Sequence, residues 1–140
     1  MSRRYAKASV MLFALACAAC GSTSDIVALT PAQIAAEPTN GLCDQAAAAI
    51  ADKEAILSEL LRRHAITAAH VEAVRNSTVV TGMNSCETIA AWGPPAIYSS
   101  MPGIDYPGDH TVSGAAMVYD YGRRGKIGFD AKGFVLTVVR

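Results

Sequence analysis

The stretch 82–95, Gly-Met-Asn-Ser-Cys-Glu-Thr-Ile-Ala-Ala-Trp-Gly-Pro-Pro, constrains the fold most strongly because it contains both the start and stop signals of one short helix. Asn84 is a favourable N-cap, and Glu87 stands three residues later, where its carboxylate can accept the backbone N–H of the cap. Gly93 supplies a left-handed end, and the two prolines prevent the helix from continuing. We expect about nine helical residues here, with helices before the stretch and strands after it.

Residues 1–19 have the pattern of a bacterial export signal. Three basic residues precede an apolar run over 10–16, which is too short to span a bilayer. Small residues at 18–19 then precede Cys20, and this order resembles a lipobox, in which the cysteine is lipidated and becomes the first residue of the mature chain. We therefore predict a signal peptide over 1–19 and a lipid anchor at Cys20.

Two alternatives to this anchor stay open. Cys17 follows Ala-Leu-Ala and is a competing site, and plain secretion after a small-residue site would leave no anchor. Bacterial lipoproteins carry several acyl chains, which together attach a protein stably where one chain binds only marginally. Gly21 stands where some inner-membrane lipoproteins have Asp, so we expect the protein at the periplasmic face of the outer membrane.

The charge of the mature chain argues against nucleic acid as a partner. The full chain has 12 Lys and Arg and 12 Asp and Glu. Removing residues 1–19 takes away Arg3, Arg4 and Lys7, which leaves 9 basic residues against 12 acidic ones and a net charge of −3 with histidine neutral. Domains that bind a polyanion are usually basic.

The first half of the mature chain predicts a tether followed by helices. Residues 20–41 mix Ser, Thr, Pro, Ala and Gly with few large apolar side chains, which indicates a flexible tether, with Thr30 placed to cap one helical turn. From 42 to 64, apolar residues recur at spacings of three and four, the pattern of one long amphipathic helix. A second helical segment is expected from a cap at Thr67 to an end at Asn76.

Cys43 and Cys86 are the two cysteines of the mature body. Because an exported chain meets oxidising conditions, we predict a disulfide between them, joining the start of the long helix to the start of the short one. Two buried free thiols are the alternative. We expect no metal site at either cysteine, since no histidine stands at ligand spacing from them.

The second half of the chain alternates apolar segments with turns. Strands are expected over 96–99, 115–121, 126–129 and 134–140. The Gly-Arg-Arg-Gly sequence at 122–125 predicts one turn, and Asp130 with Gly133 fits a type I turn closed by a glycine bulge. In the last strand, Phe134, Leu136 and Val138 alternate with three other apolar or Thr residues, so both faces are apolar and the strand is expected to be central or covered.

The predicted fold class is therefore α+β. Two or three N-terminal helices pack on a three- to four-stranded antiparallel β-meander, as a single domain over 42–140. Trp92, at the end of the short helix, is expected to cover the core between helices and sheet.

Seven residues within 79–139 form a spaced pattern that resembles the SmpA/OmlA (BamE-like) small outer-membrane lipoprotein family: Gly82, Met83, Gly93, Pro95, Tyr119, Phe129 and Gly133. The resemblance implies two helices on a three-stranded antiparallel meander. It also implies a non-enzymatic module that supports outer-membrane protein assembly or envelope integrity through contacts with barrel-assembly proteins. The seven residues would then have structural roles.

Other polar residues give weaker signals. His64 and His70 are six apart and do not share a helix face, and no serine or carboxylate is spaced to complete a triad. We therefore expect no catalytic residue, no cofactor and no small-molecule substrate. In the loop at 101–110, Asp105, Asp109 and His110 form a candidate cation site. The alternative is that these side chains are simply solvated.

The turn after the second strand is basic. Arg123, Arg124 and Lys126 could contact anionic lipid or an acidic patch on a partner protein, and a solvated hairpin tip is the alternative. The expected partners are thus a membrane, through the lipid anchor, and another envelope protein.

Overall fold

The computed structural model describes residues 28–49, 51–99 and 114–140 of the chain. In this part of the chain five α-helices precede a four-stranded antiparallel sheet, which confirms the predicted α+β class with helices N-terminal to strands. The helices are α1 (Pro31–Ala36), α2 (Thr39–Ala48), α3 (Lys53–Arg62), α4 (Val71–Arg75) and α5 (Ser85–Trp92). The strands are β1 (Ile97–Ser99), β2 (Met117–Asp120), β3 (Lys126–Phe129) and β4 (Val135–Val139), in that order across the sheet.

The helix predicted over 42–64 is two helices, so this prediction is wrong. A straight helix of that length would extend about 35 Å, too far for both of its ends to pack on strands of three to five residues. The chain instead bends after Ala48, and α2 and α3 pack against each other. At the bend, Asp52 accepts a hydrogen bond of 2.7 Å from the backbone N–H of Leu29.

The tether predicted over 20–41 is also wrong from residue 31 onward. Thr30 and Gln33 form a reciprocal capping box at the start of α1, as the Thr30-Pro31 sequence suggested, and Ile34 is buried in the core. α2 then begins at Thr39, before the predicted helix start. Residues 20–27 lie outside the described residues, as do the predicted signal peptide and Cys17.

Arg63 at the end of α3 holds α1 in place. Its guanidinium donates to the backbone carbonyl oxygens of Glu37 at 2.7 Å and Ala35 at 2.9 Å, which are otherwise unpaired groups at the end of α1. Glu59 in turn accepts from Arg63 Nε at 2.7 Å. The sequence did not indicate this contact because 26 residues separate Arg63 from Glu37.

The core lies between the helices and one face of the sheet. Apolar side chains from α2, α3, α4 and α5 meet those from the three later strands. The largest fully buried apolar side chains are Phe129, Leu42, Ile56, Leu57, Leu60, Met83 and Ile127. Trp92 is 8% exposed and belongs to this core, as predicted.

The segment expected to form a helix from Thr67 is shorter than predicted. α4 begins at Val71 with His70 at its N-cap, and residues 67–70 form a turn. The Thr67 side chain bonds to a carboxylate of α5 instead of capping α4. The predicted end at Asn76 is confirmed.

Both predicted turns of the sheet are present. Residues Gly122–Arg124 form one 3-10 turn between β2 and β3. Between β3 and β4, the backbone N–H of Gly133 donates to the Asp130 carbonyl at 3.0 Å, and Gly133 has a φ of +84°. That left-handed conformation explains why glycine occupies this position.

The expectation that the last strand is central or covered is wrong. β4 is the final strand of the sheet, and its Leu136 side chain is 48% exposed. A β-bulge also changes its faces: Gly128 pairs with Thr137 and Phe129 with Val135, so Leu136 is an extra residue. The bulge lets both Val135 and Val138 contact the core, which strict alternation would not allow.

Within the described residues, no helix combines the length and apolar content needed to cross a bilayer.

Glu59 makes the stability of the α1–α3 contact depend on pH. Hydrogen bonds from Arg62 and Arg63 lower the pKa of Glu59 to about 2. Because this folded-state pKa lies below the unfolded-state value, the stabilisation is complete above about pH 5 and is lost as the pH falls toward 2. Glu59→Gln should therefore reduce the free energy of unfolding near neutral pH, and its difference from wild type should shrink in acid. Urea unfolding at a neutral and an acidic pH measures this, and an equal difference at both would contradict it.

Candidate functional site

The stretch 82–95 forms the short helix that its sequence predicts. Asn84 accepts from the backbone N–H of Glu87 at 2.9 Å, and Glu87 accepts from the backbone N–H of Asn84 at 2.8 Å, which completes the capping box. Gly93 ends the helix with a φ of +86°. α5 therefore has the predicted start and end, and it is the element around which the polar contacts of the domain gather.

Glu87 does more than cap its own helix. Its side chain is 1% exposed, and besides Asn84 it accepts hydrogen bonds from the Thr67 backbone N–H at 2.7 Å and the Thr67 hydroxyl at 2.9 Å. His70 Nδ1 lies 3.0 Å from the second carboxylate oxygen. A buried carboxylate is tolerated only when its lone pairs are satisfied, and four contacts satisfy this one.

The pairing of His70 with Glu87 brings together an imidazole and a carboxylate, the usual elements of an acid–base site. Within the described residues, however, Glu87 is the side chain that bonds to His70, and the nearby Thr67 hydroxyl donates to the same carboxylate. A nucleophile would need to face the imidazole instead. The cluster therefore fixes the 67–70 turn against α5, a structural function that sequence spacing could not reveal.

The predicted disulfide is present. Cys43 and Cys86 are joined with their Cα atoms 5.3 Å apart, and the bond connects α2 to the first turn of α5. Cys43 is 2% exposed, while Cys86 is partly accessible.

A small cleft of about 270 Å³ opens beside the disulfide, lined by Asn40, Cys43, Asp44, Ser85, Cys86, Ile89 and Tyr119. Burial raises the pKa of Tyr119, against the opposing effect of a hydrogen bond with Ser85. The cleft lies below the usual size range of small-molecule sites, and its one charged lining residue is Asp44. Its geometry does not indicate a particular ligand.

The three basic residues of the turn at 122–126 differ in their contacts. Arg124 lies over the Trp92 ring, with Cζ 5.1 Å from the ring centroid, and donates to the Trp92 carbonyl at 3.1 Å, at the end of α5. Lys126 lies 4.0 Å from a carboxylate oxygen of Asp120, whereas Arg123 is exposed. Arg124 thus also caps the α5 carboxyl end, which cations stabilise, and the contact of this basic turn with anionic lipid or a partner protein stays a prediction.

Arg140, the last residue of the chain as given, approaches the same tryptophan. Its Cζ is 6.0 Å from the Trp92 centroid, and the Tyr121 ring meets Trp92 edge-on at 5.2 Å. Tyr121 donates its hydroxyl to the Gly93 carbonyl at 3.0 Å, and burial raises the pKa of Tyr121. Trp92 is therefore contacted by the guanidinium groups of both Arg124 and Arg140.

The Gly82-Met83 pair binds the sheet by its backbone. Gly82 N–H donates to the Val135 carbonyl at 2.8 Å, and Val135 N–H donates to the Met83 carbonyl at 2.7 Å. Both bonds form on the side of β4 that faces away from β3. We call the continuation of that side over residues 136–139 the β4 outer edge. Thr137 and Val139 pair with β3, so the outward-facing backbone groups beyond Val135 are those of Val138, and the described residues supply no backbone partner to them on this side.

The predicted motif residues have backbone or core roles. Gly82, Gly93 and Gly133 have positive φ angles, and Met83 and Phe129 are fully buried. Tyr119 lines the cleft, and Pro95 follows the end of α5. The motif thus marks the scaffold and does not converge on a catalytic centre.

Several predicted sites lie outside the described residues: Cys20, and the loop candidates Asp105, Asp109 and His110. In the part of the chain that the structure describes, no group of three His, Cys, Asp or Glu side chains could hold a metal ion. His64 has a φ of +57° at the end of α3 and does not join His70 in a common site.

Comparison with known proteins adds no relative: no family model, curated protein or solved structure matches the chain. Membership of the SmpA/OmlA family therefore stays a prediction that depends on the residues quoted above.

Removing the disulfide should destabilise the domain strongly. The bond closes a loop across a sequence separation of 43 residues, for which the chain-entropy model gives about 4 kcal/mol. Urea unfolding with and without a thiol reductant measures this loss, and the double variant Cys43→Ala with Cys86→Ala should be insensitive to the reductant. Recovery of two alkylatable thiols from the oxidised, exported protein would contradict the prediction.

Replacing Glu87 should also lower the free energy of unfolding, because it leaves buried hydrogen-bond donors without an acceptor. In Glu87→Gln, an NH₂ group replaces one acceptor oxygen and faces donors from Thr67, His70 or Asn84, at a cost of about 3 kcal/mol in unfolding free energy. The matched control is Glu72→Gln, because the Glu72 side chain is 67% exposed and its ion pair should contribute less than about 1 kcal/mol. Equal losses in the two variants would show that the buried carboxylate has no special role.

Proposed function

We propose that the protein is a lipid-anchored, non-enzymatic binding module of the bacterial outer envelope, which supports outer-membrane protein assembly or envelope integrity through protein–protein contacts. The proposal combines the export signal and lipobox, the resemblance to BamE-like lipoproteins, and the geometry of the described domain. No single one of these would identify the function, because a fold of this class serves many activities.

The Cys43–Cys86 bond is the observation that carries the proposal. Disulfides persist in exported proteins and are rare in the reducing cytosol. A disulfide between two helices of the domain, in a chain whose first 19 residues have the pattern of an export signal, supports a periplasmic location. With Cys20 as anchor, about ten residues of chain would separate the lipid from α1, a reach of at most about 35 Å.

The geometry favours binding over catalysis. The His70–Glu87 pair holds the fold together, and the disulfide cleft is small and lacks converging reactive groups. The sheet, in contrast, presents the apolar Leu136 side chain to solvent on its edge strand β4. Exposed apolar strands of this kind are typical of protein contact surfaces.

Cys20→Ala tests the anchor. The variant should move from the membrane pellet to the soluble periplasmic fraction, because removing the acylated cysteine removes the stable attachment. Cys17→Ala is the matched control and should stay in the pellet. A Cys20→Ala protein that remains in the membrane fraction would refute lipidation at this residue, and release of Cys17→Ala alone would assign the anchor to Cys17.

A crosslinking pull-down from intact envelopes tests the partner. We expect barrel-assembly or other outer-membrane proteins to be recovered with the wild type and to decrease with Cys20→Ala, because the anchor concentrates the domain at the membrane. Equal recovery of soluble periplasmic partners by both proteins would favour the alternative, a secreted binding or inhibitor module on the same scaffold.

A further inference from the structure

We propose that the β4 outer edge binds an extended segment of a partner protein, apolar in its middle and acidic at its ends, which adds to the sheet as a fifth strand. This inference rests on the proposed binding function, for which it names the surface and the chemistry of the partner.

The backbone of β4 already pairs with another segment of the chain at its first residue, Val135. Gly82 and Met83 hydrogen-bond to Val135 on the outer side, and Asn84 forms an isolated antiparallel bridge with Phe134. On the N-terminal side of this segment, a turn at 81–82 directs the chain away from the sheet. The register with β3 turns the backbone groups of Thr137 and Val139 toward β3 and those of Val138 outward, and the described residues form no backbone hydrogen bond with Val138 on that side. A guest strand would continue along the same side and pair with Val138.

The side chains of β4 carry none of the features that usually prevent pairing at an edge. Residues 134–139 are Phe-Val-Leu-Thr-Val-Val, with no charge and no proline. Phe134 is 44% exposed and Leu136 is 48% exposed. Natural edge strands without a binding role are commonly protected by lysine, proline or a covering loop. The bulge at Leu136 twists this edge but leaves its side chain in solvent.

The charges around the edge select the partner. Lys132 precedes β4, Arg140 follows it, and Arg123 and Arg124 lie in the turn beside its far end. Among the described residues, no carboxylate forms an ion pair with any of these four cations, whereas every arginine of the helical half, at 62, 63 and 75, is paired with a glutamate. A strand with acidic ends would supply the missing anions.

The same charges argue against a second copy of this chain as the occupant. Antiparallel pairing of two β4 strands would bring Arg140 of each copy toward the Lys132 end of the other, and parallel pairing would place the two Arg140 side chains together. Like charges that face each other across strands are destabilising. Complementary charge therefore favours a different protein.

Three labelled peptides of about nine residues, the length of an edge strand with flanks, test the proposal. One has alternating Val and Thr between acidic ends, the second has the same centre between lysine ends, and the third is the acidic peptide with proline at its centre. Fluorescence anisotropy measures their binding to the full-length protein in detergent micelles. The acidic peptide should bind at least about tenfold more tightly than the lysine peptide, and the proline peptide should not bind, because proline removes a main-chain donor.

Variants locate the site. Leu136→Lys should weaken binding of the acidic peptide at least about tenfold, because a charge at an edge opposes strand addition. The matched control is Ile97→Lys on the opposite edge strand, where Ile97 is 61% exposed, and it should bind as the wild type does. Arg140→Glu should reduce the preference for the acidic over the lysine peptide, because three of the four cations remain. The amide hydrogen of Val138, which faces away from β3, should become protected from exchange when the acidic peptide binds.

The peptide-binding measurements can be interpreted independently of the membrane fractionation that tests the anchor. Cys20→Ala should leave peptide affinity unchanged, so failure of the membrane fractionation test would not affect the peptide measurements. Equal binding of all three peptides, absence of binding at millimolar concentration, or loss of binding in Ile97→Lys with retention in Leu136→Lys would each overturn the proposal. A concentration-dependent dimer that Leu136→Lys abolishes would overturn it in favour of self-association.

Discussion

The fold depends on a single buried carboxylate. Glu87 lies in a region from which water is excluded, where an unpaired charge would be very costly, and its lone pairs are satisfied by donors from its own helix cap and from the 67–70 turn. These contacts join two segments separated by 20 residues. Because the carboxylate needs all of them, the position of α5 relative to the preceding helices is fixed with little freedom.

The rest of α5 is held by contacts of other kinds. The Cys43–Cys86 bond joins its first turn to α2, and Arg124 and Tyr121 bond to backbone carbonyls at its end. Just before the helix, Gly82 and Met83 attach to β4 by main-chain hydrogen bonds. The helix thus connects the helical layer to the sheet through covalent, aromatic and backbone contacts, and a domain fixed in this way suits a binding module that presents a rigid surface.

Charge is distributed unevenly over this scaffold. In the described helical half, arginines at 62, 63 and 75 are paired with glutamates, whereas four cations near β4 have no carboxylate partner among the described residues: Arg123, Arg124, Lys132 and Arg140. The Arg124 and Arg140 side chains lie over Trp92 instead, an interaction that cations make with aromatic rings. The uneven pairing, together with an edge strand that lacks charges, distinguishes the β4 side of the domain from the rest of the described surface.

The sequence by itself determined the features that depend on near neighbours. The Asn84–Glu87 capping box, the Gly93 stop, the turn closed by Gly133 and the α+β class all follow from short-range sequence patterns. The disulfide was predicted from the two cysteines that follow a predicted export signal. Only the tertiary structure decided the break after Ala48, the packing of α1 through Arg63, the additional partners of Glu87 and the edge position of β4. Each of these depends on which distant segment supplies a donor, a carbonyl or a neighbouring strand, and residue spacing along the chain does not specify that choice.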